Sequence, residues 1–302
     1  MGFRLLLVQR IFTRIMANLK ELRNRITSIS STMQITSAMK MVSAAKLKKA
    51  QDAITQMRPY SAKLEEILVN VSATLDTSEQ VYARQPEETR KVLLVMVSSN
   101  RGLCGAFNAN IVKKVQAFNK DFKGQVDVYS VGKKAHEILG KRLPDLDRIE
   151  QQGGIFDALT FSGVAEIAED LMERFRSGQY DKIQLVYNQF QNAAVQHVQL
   201  EPFLPIRPPQ NLDQAAGDYI YEPHKEDMLE ELIPKSLKTQ LFKAILDSNA
   251  SEHGARMTAM HQATDNAQNL KRDLSLEYNK ARQAAITNEI LEIVSGADAL
   301  SG

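Results

Sequence analysis

A chain of 302 residues with 43% hydrophobic content can bury one good core in one or two domains, yet it holds no apolar run of the 18 residues that a membrane-crossing helix requires. Its single cysteine excludes an internal disulfide and fits a reducing compartment. Tryptophan is absent and aromatics make up 6%, which argues against stacking platforms for single-stranded nucleic acid; the net charge is only +2, though unevenly spread.

Residues 1–15 (MGFRLLLVQRIFTRI) carry Arg4, Arg10 and Arg14 and no acid. A transit peptide or a short secretory signal is one reading of them, but no small-residue cleavage site follows and they lack serine, which weighs against both. The simpler expectation is an extension over 1–16 ahead of a translation start at Met16, with a mature protein beginning at Met16 or Ala17.

From Leu19 to Leu75 a step of three, then four residues visits Leu22, Ile26, Ile29, Met33, Thr36, Lys40, Ser43, Leu47, Ala50, Ile54, Met57, Ser61, Leu64, Leu68 and Val71. This spacing draws one stripe along a helix and predicts a coiled-coil helix over 17–75. A helix of about 50 to 60 residues is roughly 75 to 90 Å long, which outreaches a compact domain and suits a shaft or strut better than a pocket. Thr36, Lys40 and Ser43 stand where a self-sufficient coiled coil would put Leu or Ile, while Ile35, Met39 and Val42 line a neighbouring stripe. That drift is either a mismatch between a straight helix and a heptad or the mark of a helix pair touched by other proteins on several sides. Between Ala17 and Lys63 nine basic residues face only Glu21 and Asp52, a local balance of +7. The cations are diluted by Ala, Ser and Met, which favours an acidic protein surface over DNA.

The middle of the chain, residues 90–206, alternates strand and helix patterns. Lys91–Ser99 reads as a buried strand, Asn108–Phe122 as a helix, Val126–Val131 as a second strand and Lys133–Leu143 as a short helix. Thr160 or Ser162 can cap a helix whose apolar face is Val164, Ile167, Ala168, Leu171, Met172 and Phe175. Lys182–Phe190 and Ala194–Leu200 are close enough to pair antiparallel. The alternation predicts a small, mostly parallel sheet in a Rossmann-like layer. Residues 207–227, rich in Pro, Gly and Asp, read as a loop. A second coiled-coil helix is expected over 228–300, its stripe running through Met260, Ala263, Ala267, Leu270, Leu274, Tyr278, Ala281 and Ala285.

The turn Asn100–Asn108 after the first strand is where a ligand loop would sit. Its two glycines, Gly102 and Gly105, match neither the dinucleotide fingerprint nor the Walker phosphate loop, so the expectation is a tight turn that needs glycine's positive φ. Cys104 within it has no neighbouring base and reads as structural. His136, His197, His224, His253 and His261 are scattered without acidic ligand motifs, and no paired carboxylates stand out. On residues alone the chain is a poor enzyme; a shaft or strut, a coiled-coil adaptor and, more distantly, a nucleotide-binding Rossmann enzyme stay open.

Four motifs carry a resemblance: Ile35–Lys46 (ITSAMKMVSAAK), Ser99–Asn108 (SNRGLCGAFN), Ser251–Met260 (SEHGARMTAM) and Tyr278–Ala297 (YNKARQAAITNEILEIVSGA). Together, in order and over residues 17 to 300, they resemble the gamma-subunit family of rotary F-type ATP synthases. The regulatory insertion with its cysteine pair, found in the chloroplast version, is absent, and the N-terminal helix is similar to the bacterial type.

The resemblance implies an α/β protein with a long antiparallel coiled coil formed by the N- and C-terminal helices, and a central Rossmann-like α/β domain. It implies a non-catalytic subunit without cofactor or metal, acting as the central rotor shaft that couples proton flow to ATP synthesis. The implied partners are the alpha and beta subunits of the catalytic hexamer, the epsilon subunit and the membrane-embedded c-ring, with no nucleic acid. The implied location is the cytoplasmic side of a bacterial inner membrane, peripheral and held through the complex. By the family pattern the rotor–stator contacts are Met39, Lys40, Arg256, Gln283, Thr287 and Glu289, with Arg256 an exposed catch. Tyr219, Tyr221 and Glu222 match the foot that faces epsilon and the c-ring. Ala281, Ala284, Ala285, Ile286, Ile290 and Ile293 suit a bearing, which must slide without directional bonds.

Overall fold

A computed structural model describes residues 2–72, 81–84, 86, 88–151, 153–206 and 225–301. The described chain divides into two compact units, one formed by residues 1–41 with 259–302 and the other by residues 42–258. Two long helices open and close it, α1 over Gly2–Ser72 and the C-terminal helix over Lys225–Ser301. Between them come β1 (Lys91–Val97), α2 (Phe107–Asp121), β2 (Gln125–Val131), α3 (Lys133–Arg142), β3 (Arg148–Gln151), α4 (Phe161–Arg176), β4 (Lys182–Phe190) and β5 (Gln196–Leu204), so the C-terminal helix is α5. Lys225–Asp227, expected at the end of a loop, are the first residues of α5.

In the larger unit the five strands form one sheet in the order β3-β2-β1-β4-β5. β1 pairs parallel with β2 and β4, β2 pairs parallel with β3, and β4 pairs antiparallel with β5. The centre of β1 is sequestered on both faces, and its alternation assigns the layers. Val92, Leu94 and Met96 meet Phe107, Ile111, Val112 and Val115 of α2 with Ala135 and Leu139 of α3. Leu93, Val95 and Val97 point the other way, to Val164, Ala168, Leu171 and Phe175 of α4 and to Ile233, Leu237, Leu241 and Ile245 of α5. A run that is apolar at every position is the signature of such a doubly covered parallel strand. α4 starts where expected: the Thr160 hydroxyl caps it, accepting from the Gly163 amide at 3.3 Å.

Two expectations for this unit change. β3 carried no apolar signal, because Arg148–Gln151 is a four-residue edge strand that the sheet recruits by backbone pairing. β5 begins later than expected and runs on through Pro202 to Leu204, its antiparallel partner on one side only. A third cluster joins Leu47, Ala50 and Ile54 of α1 to Leu246 and Ala250 of α5.

In the smaller unit α1 and α5 pair antiparallel, since partner numbers fall on one helix as they rise on the other: Lys40 meets His261, Thr36 meets Thr264 and Ser30 meets Lys271. Every described position of the predicted α1 stripe from Leu19 to Thr36 is buried or half-buried. On α5 the stripe departs at one place. Leu270, expected in the seam, is 50% exposed, and Lys271 turns inward instead to donate to the Ser30 hydroxyl at 3.2 Å.

Candidate functional site

The expected contact residues fall on three surfaces. On α1, Met39 and Lys40 are half-buried, while Ile35, Met41 and Val42 around them are exposed large apolar side chains. Lys40 Nζ lies 3.3 Å from His261 Nδ1, and the same nitrogen lies 3.5 Å from the Asp265 carboxylate. A neutral imidazole accepts from Lys40 there; an imidazolium donates to Asp265 instead, so the two contacts exclude one another. Lys40 is thus tied to its helix mate, and the outward surface at this level is chiefly apolar.

Near the end of α5, Gln283, Thr287 and Glu289 are all exposed. Around them Ile286, Ile290, Leu291, Ile293 and Val294 are exposed too, Ile293 at 67%. A run of large aliphatic side chains left in water, with polar residues interspersed, marks a surface that something else covers.

Arg256 does not meet its expectation of a solvated catch. It is only 7% exposed, and the reason is a set of bonds inside the larger unit. Its Nη1 pairs with Glu252 Oε1 at 2.7 Å, its Nη2 donates to the carbonyl of Arg101 at 3.0 Å, and Nη2 and Nε reach the carbonyl of Gly102 at 3.3 and 3.4 Å. The guanidinium's several donors serve two adjacent carbonyls and a carboxylate at once. The stretch Ser251–Met260 loses its apolar periodicity because it packs on the sheet domain of the same chain. Ser251 Oγ donates to the Asn188 carbonyl at 2.9 Å, Thr258 Oγ1 to the Ala193 carbonyl at 3.1 Å, and Gly254 lets Ala193 approach so closely that a Cβ would sit 3.2 Å from its Cα.

Glu252 is the partner of Arg256 that the sequence did not single out, although the i,i+4 spacing was visible. Burial pushes its carboxyl up, opposed by the charges of Arg256, Lys46 and Arg101. His253 beside it is driven down to about 4, first by burial and then by the Arg256 and Lys46 charges, which keeps it neutral.

The turn that receives Arg256 is built from within. Asn108 Oδ1 accepts from the Ser99 amide at 3.1 Å, Asn108 Nδ2 donates to the Ser99 hydroxyl at 2.7 Å, and that hydroxyl donates to the Arg101 carbonyl at 2.8 Å. Gly105 takes the expected positive φ of 59°, but at the other place it is Leu103, not Gly102, that is left-handed, at φ 63°. Cys104 is buried and burial raises its thiol, consistent with a structural part. Among the described residues no group of three or more His, Cys, Asp or Glu is placed to hold a metal ion. No described helix is long and apolar enough to cross a membrane.

Elsewhere in the larger unit, α1 and α5 border two cavities of about 330 and 350 Å³ that share Ser61 and Lys243. Asp247 lines the first, and burial, offset by Lys243 and Arg58 and reinforced by Glu201, raises its carboxyl to about 6. Tyr219, Tyr221 and Glu222 lie outside the described residues.

A family model described as ATP synthase matches residues 18–300. The ATP synthase gamma chain of Flavobacterium psychrophilum is 62% identical over 289 residues, covering 95% of this chain and all of that one. That of Christiangramia forsetii is 60% identical with the same coverage, and that of Chloroherpeton thalassium is 45% identical over 302 residues, covering 94% of this chain and 99% of its own. Among solved structures, the central stalk and c-ring of the Tetrahymena thermophila mitochondrial ATP synthase matches at a TM-score of 0.58 and 28% identity, covering 76% of this chain and 99% of that one. The fold also matches a chain of the Euglena gracilis mitochondrial ATP synthase at a TM-score of 0.66 and 22% identity, covering 94% and 95%. Two terminal helices that pair antiparallel, a five-stranded sheet domain and near-complete likeness to these relatives lead to one conclusion: the chain belongs to the ATP synthase gamma-chain family, the central stalk of the rotary enzyme.

Proposed function

We propose that this chain works as a non-catalytic rotor shaft, turned by a proton-driven c-ring and turning inside a hexamer of alpha and beta subunits. The observation that carries the proposal is the uncovered aliphatic end of α5, Ile286, Ile290, Leu291, Ile293 and Val294. Aliphatic contacts are non-directional and of nearly equal energy at neighbouring angles, so they hold a shaft on its axis without fixing its angle. Exposed Gln283, Thr287 and Glu289 supply the few directional contacts, and on α1 the half-buried Met39 and Lys40 border the apolar surface of Ile35, Met41 and Val42 that meets the same ring. An asymmetric shaft presents a different side to each catalytic subunit in turn and so shifts its nucleotide affinity, a coupling of distant sites through one moving part.

Tyr219, Tyr221 and Glu222 form the foot toward epsilon and the c-ring in this reading. The support is the family resemblance and the central stalk and c-ring named for the Tetrahymena relative. The chain then sits peripherally on the cytoplasmic side of a bacterial inner membrane, held through the complex. The test is isolation of the native assembly through an affinity tag on this chain, with its subunits identified by mass spectrometry. Alpha, beta, epsilon and c subunits in constant proportion are expected. A tagged chain that purifies without them, from cells whose hexamer assembles, would overturn the reading.

A further inference from the structure

The turn Asn100–Asn108 combines three features that rarely occur together. Leu103 holds a left-handed backbone at φ 63° and still presents 64% of its surface to solvent. Directly before it, the carbonyls of Arg101 and Gly102 are gripped by a buried guanidinium. That guanidinium is in turn fixed by Glu252, whose side chain is itself 10% exposed. A left-handed leucine is unfavourable and persists only where surrounding bonds over-determine it. Here they do so from two sides: Ser99 after β1 and Asn108 on α2 hold the turn from within, and Arg256 holds it from α5.

We propose that Arg256 and Glu252 are positioning residues: a clamp on α5 that sets the turn and thereby the place of exposed Leu103 and Arg101. Arg256 does not itself touch a neighbouring subunit; substitutions there act through the turn. Glu252 holds the Nη1 end of the guanidinium at 2.7 Å and balances its charge where little solvent reaches. Only the use made of the presented turn rests on the rotor reading; the clamp is a property of the chain alone.

The chain carries its own reporter, since Cys104, the sole cysteine, is buried in this turn at 2% exposure and reacts only when the turn opens. The experiment follows alkylation of Cys104 by N-ethylmaleimide in the full-length chain, beside denaturant unfolding of the same samples. One variant is Arg256→Met with Glu252→Gln, which removes both charges so that neither stays buried and unpaired. The other is Arg256→Lys, which keeps the charge for Glu252 but loses the fork over two carbonyls. The double variant is expected to alkylate about tenfold faster or more at an unchanged unfolding midpoint, with Arg256→Lys between it and the parent. An unchanged rate would overturn the clamp, and so would an acceleration equal to the rise in the global unfolding constant. Should the double variant not fold, Arg256→Lys is read by the same two criteria. These rates are independent of rotation, so failure of the rotor reading in the isolated assembly and failure of the clamp are told apart.

Discussion

The sheet domain and the paired ends of the terminal helices treat their apolar side chains in opposite ways. In the domain, β1 is covered on both faces and Val92 through Val97 are all inaccessible. At the end of α5, five large aliphatic residues stand in water, and on α1 Ile35 does the same. One region is closed by its own chain and the other is left to be closed by something else. Burial in the first therefore measures folding, and exposure in the second measures an appetite for partners.

The sharpest way to break this contrast is to remove one large side chain from each region. Phe175→Ala, at a position 1% exposed against the sheet, is expected to cost the chain about 3–5 kcal/mol of stability in denaturant titration. Ile290→Ser is expected to leave the isolated chain within about 0.5 kcal/mol of the parent. In the assembly, by contrast, it should weaken association about tenfold or more, the value of an isoleucine buried at about 1.5–3 kcal/mol. If Ile290→Ser unfolds the chain, or Phe175→Ala does not destabilise it, the division is wrong.

A smaller effect comes from the crossing of β2 into α3. Gly132 has φ 99°, and a Cβ there would lie 2.2 Å from the Ser98 carbonyl oxygen, so Gly132→Ala is expected to cost about 1–3 kcal/mol, read as a lowered Tm. The exposed Gly296 meets nothing within 4 Å, and Gly296→Ala on α5 is expected to be neutral or slightly stabilising.

Smaller still is a pH effect inside the larger unit. Asp247 has a folded value near 6 against an ordinary 3.8, so between those values the folded chain binds more protons and stability rises as pH falls. His253 has a folded value near 4 against 6.5, so across that window the unfolded chain binds more protons and stability falls as pH falls. The two trends oppose each other and flatten the parent's profile between about pH 4 and 6. Asp247→Asn leaves the histidine alone, and its Tm is expected to drop more steeply than the parent's from pH 6.5 to 4.

No change at all is expected on adding ATP to the isolated chain. The turn that follows β1 gives the carbonyls of Arg101 and Gly102 to Arg256 and is tied at its start by the Ser99 amide donating to Asn108 Oδ1, and no Walker lysine accompanies it. A saturable calorimetric signal would contradict this.

What the sequence made legible follows from how strongly each signal is written. β1, β4 and α4 were readable because their apolar periods are unmixed and Thr160 marks a start. β3 was not, because a short polar edge strand owes its existence to Val128–Val131 beside it, and pairing across the chain leaves no local period. Leu270 misled because a step of three or four admits two neighbouring positions, and Lys271 can lay its stem in the seam while its ammonium reaches Ser30. Arg256 misled for a related reason. An arginine in a helix reads as surface until its acceptors are known, and here two are backbone carbonyls more than 150 residues away in sequence, which side-chain identity does not reveal.

One contact in the paired helices bears on alignment. The Thr264 hydroxyl donates to the Thr36 hydroxyl at 2.8 Å, and Thr36 is buried there. Sliding one helix past the other by a heptad would part the two hydroxyls and leave each only a carbonyl of its own helix, Met33 for Thr36 and Met260 for Thr264, at about 0.5–1.5 kcal/mol for the hydrogen bond lost. A seam made wholly of alanine and leucine has no such preference among its registers. The threonine pair is therefore an index mark, giving up some packing energy so that a long, repetitive interface has one phase and not several.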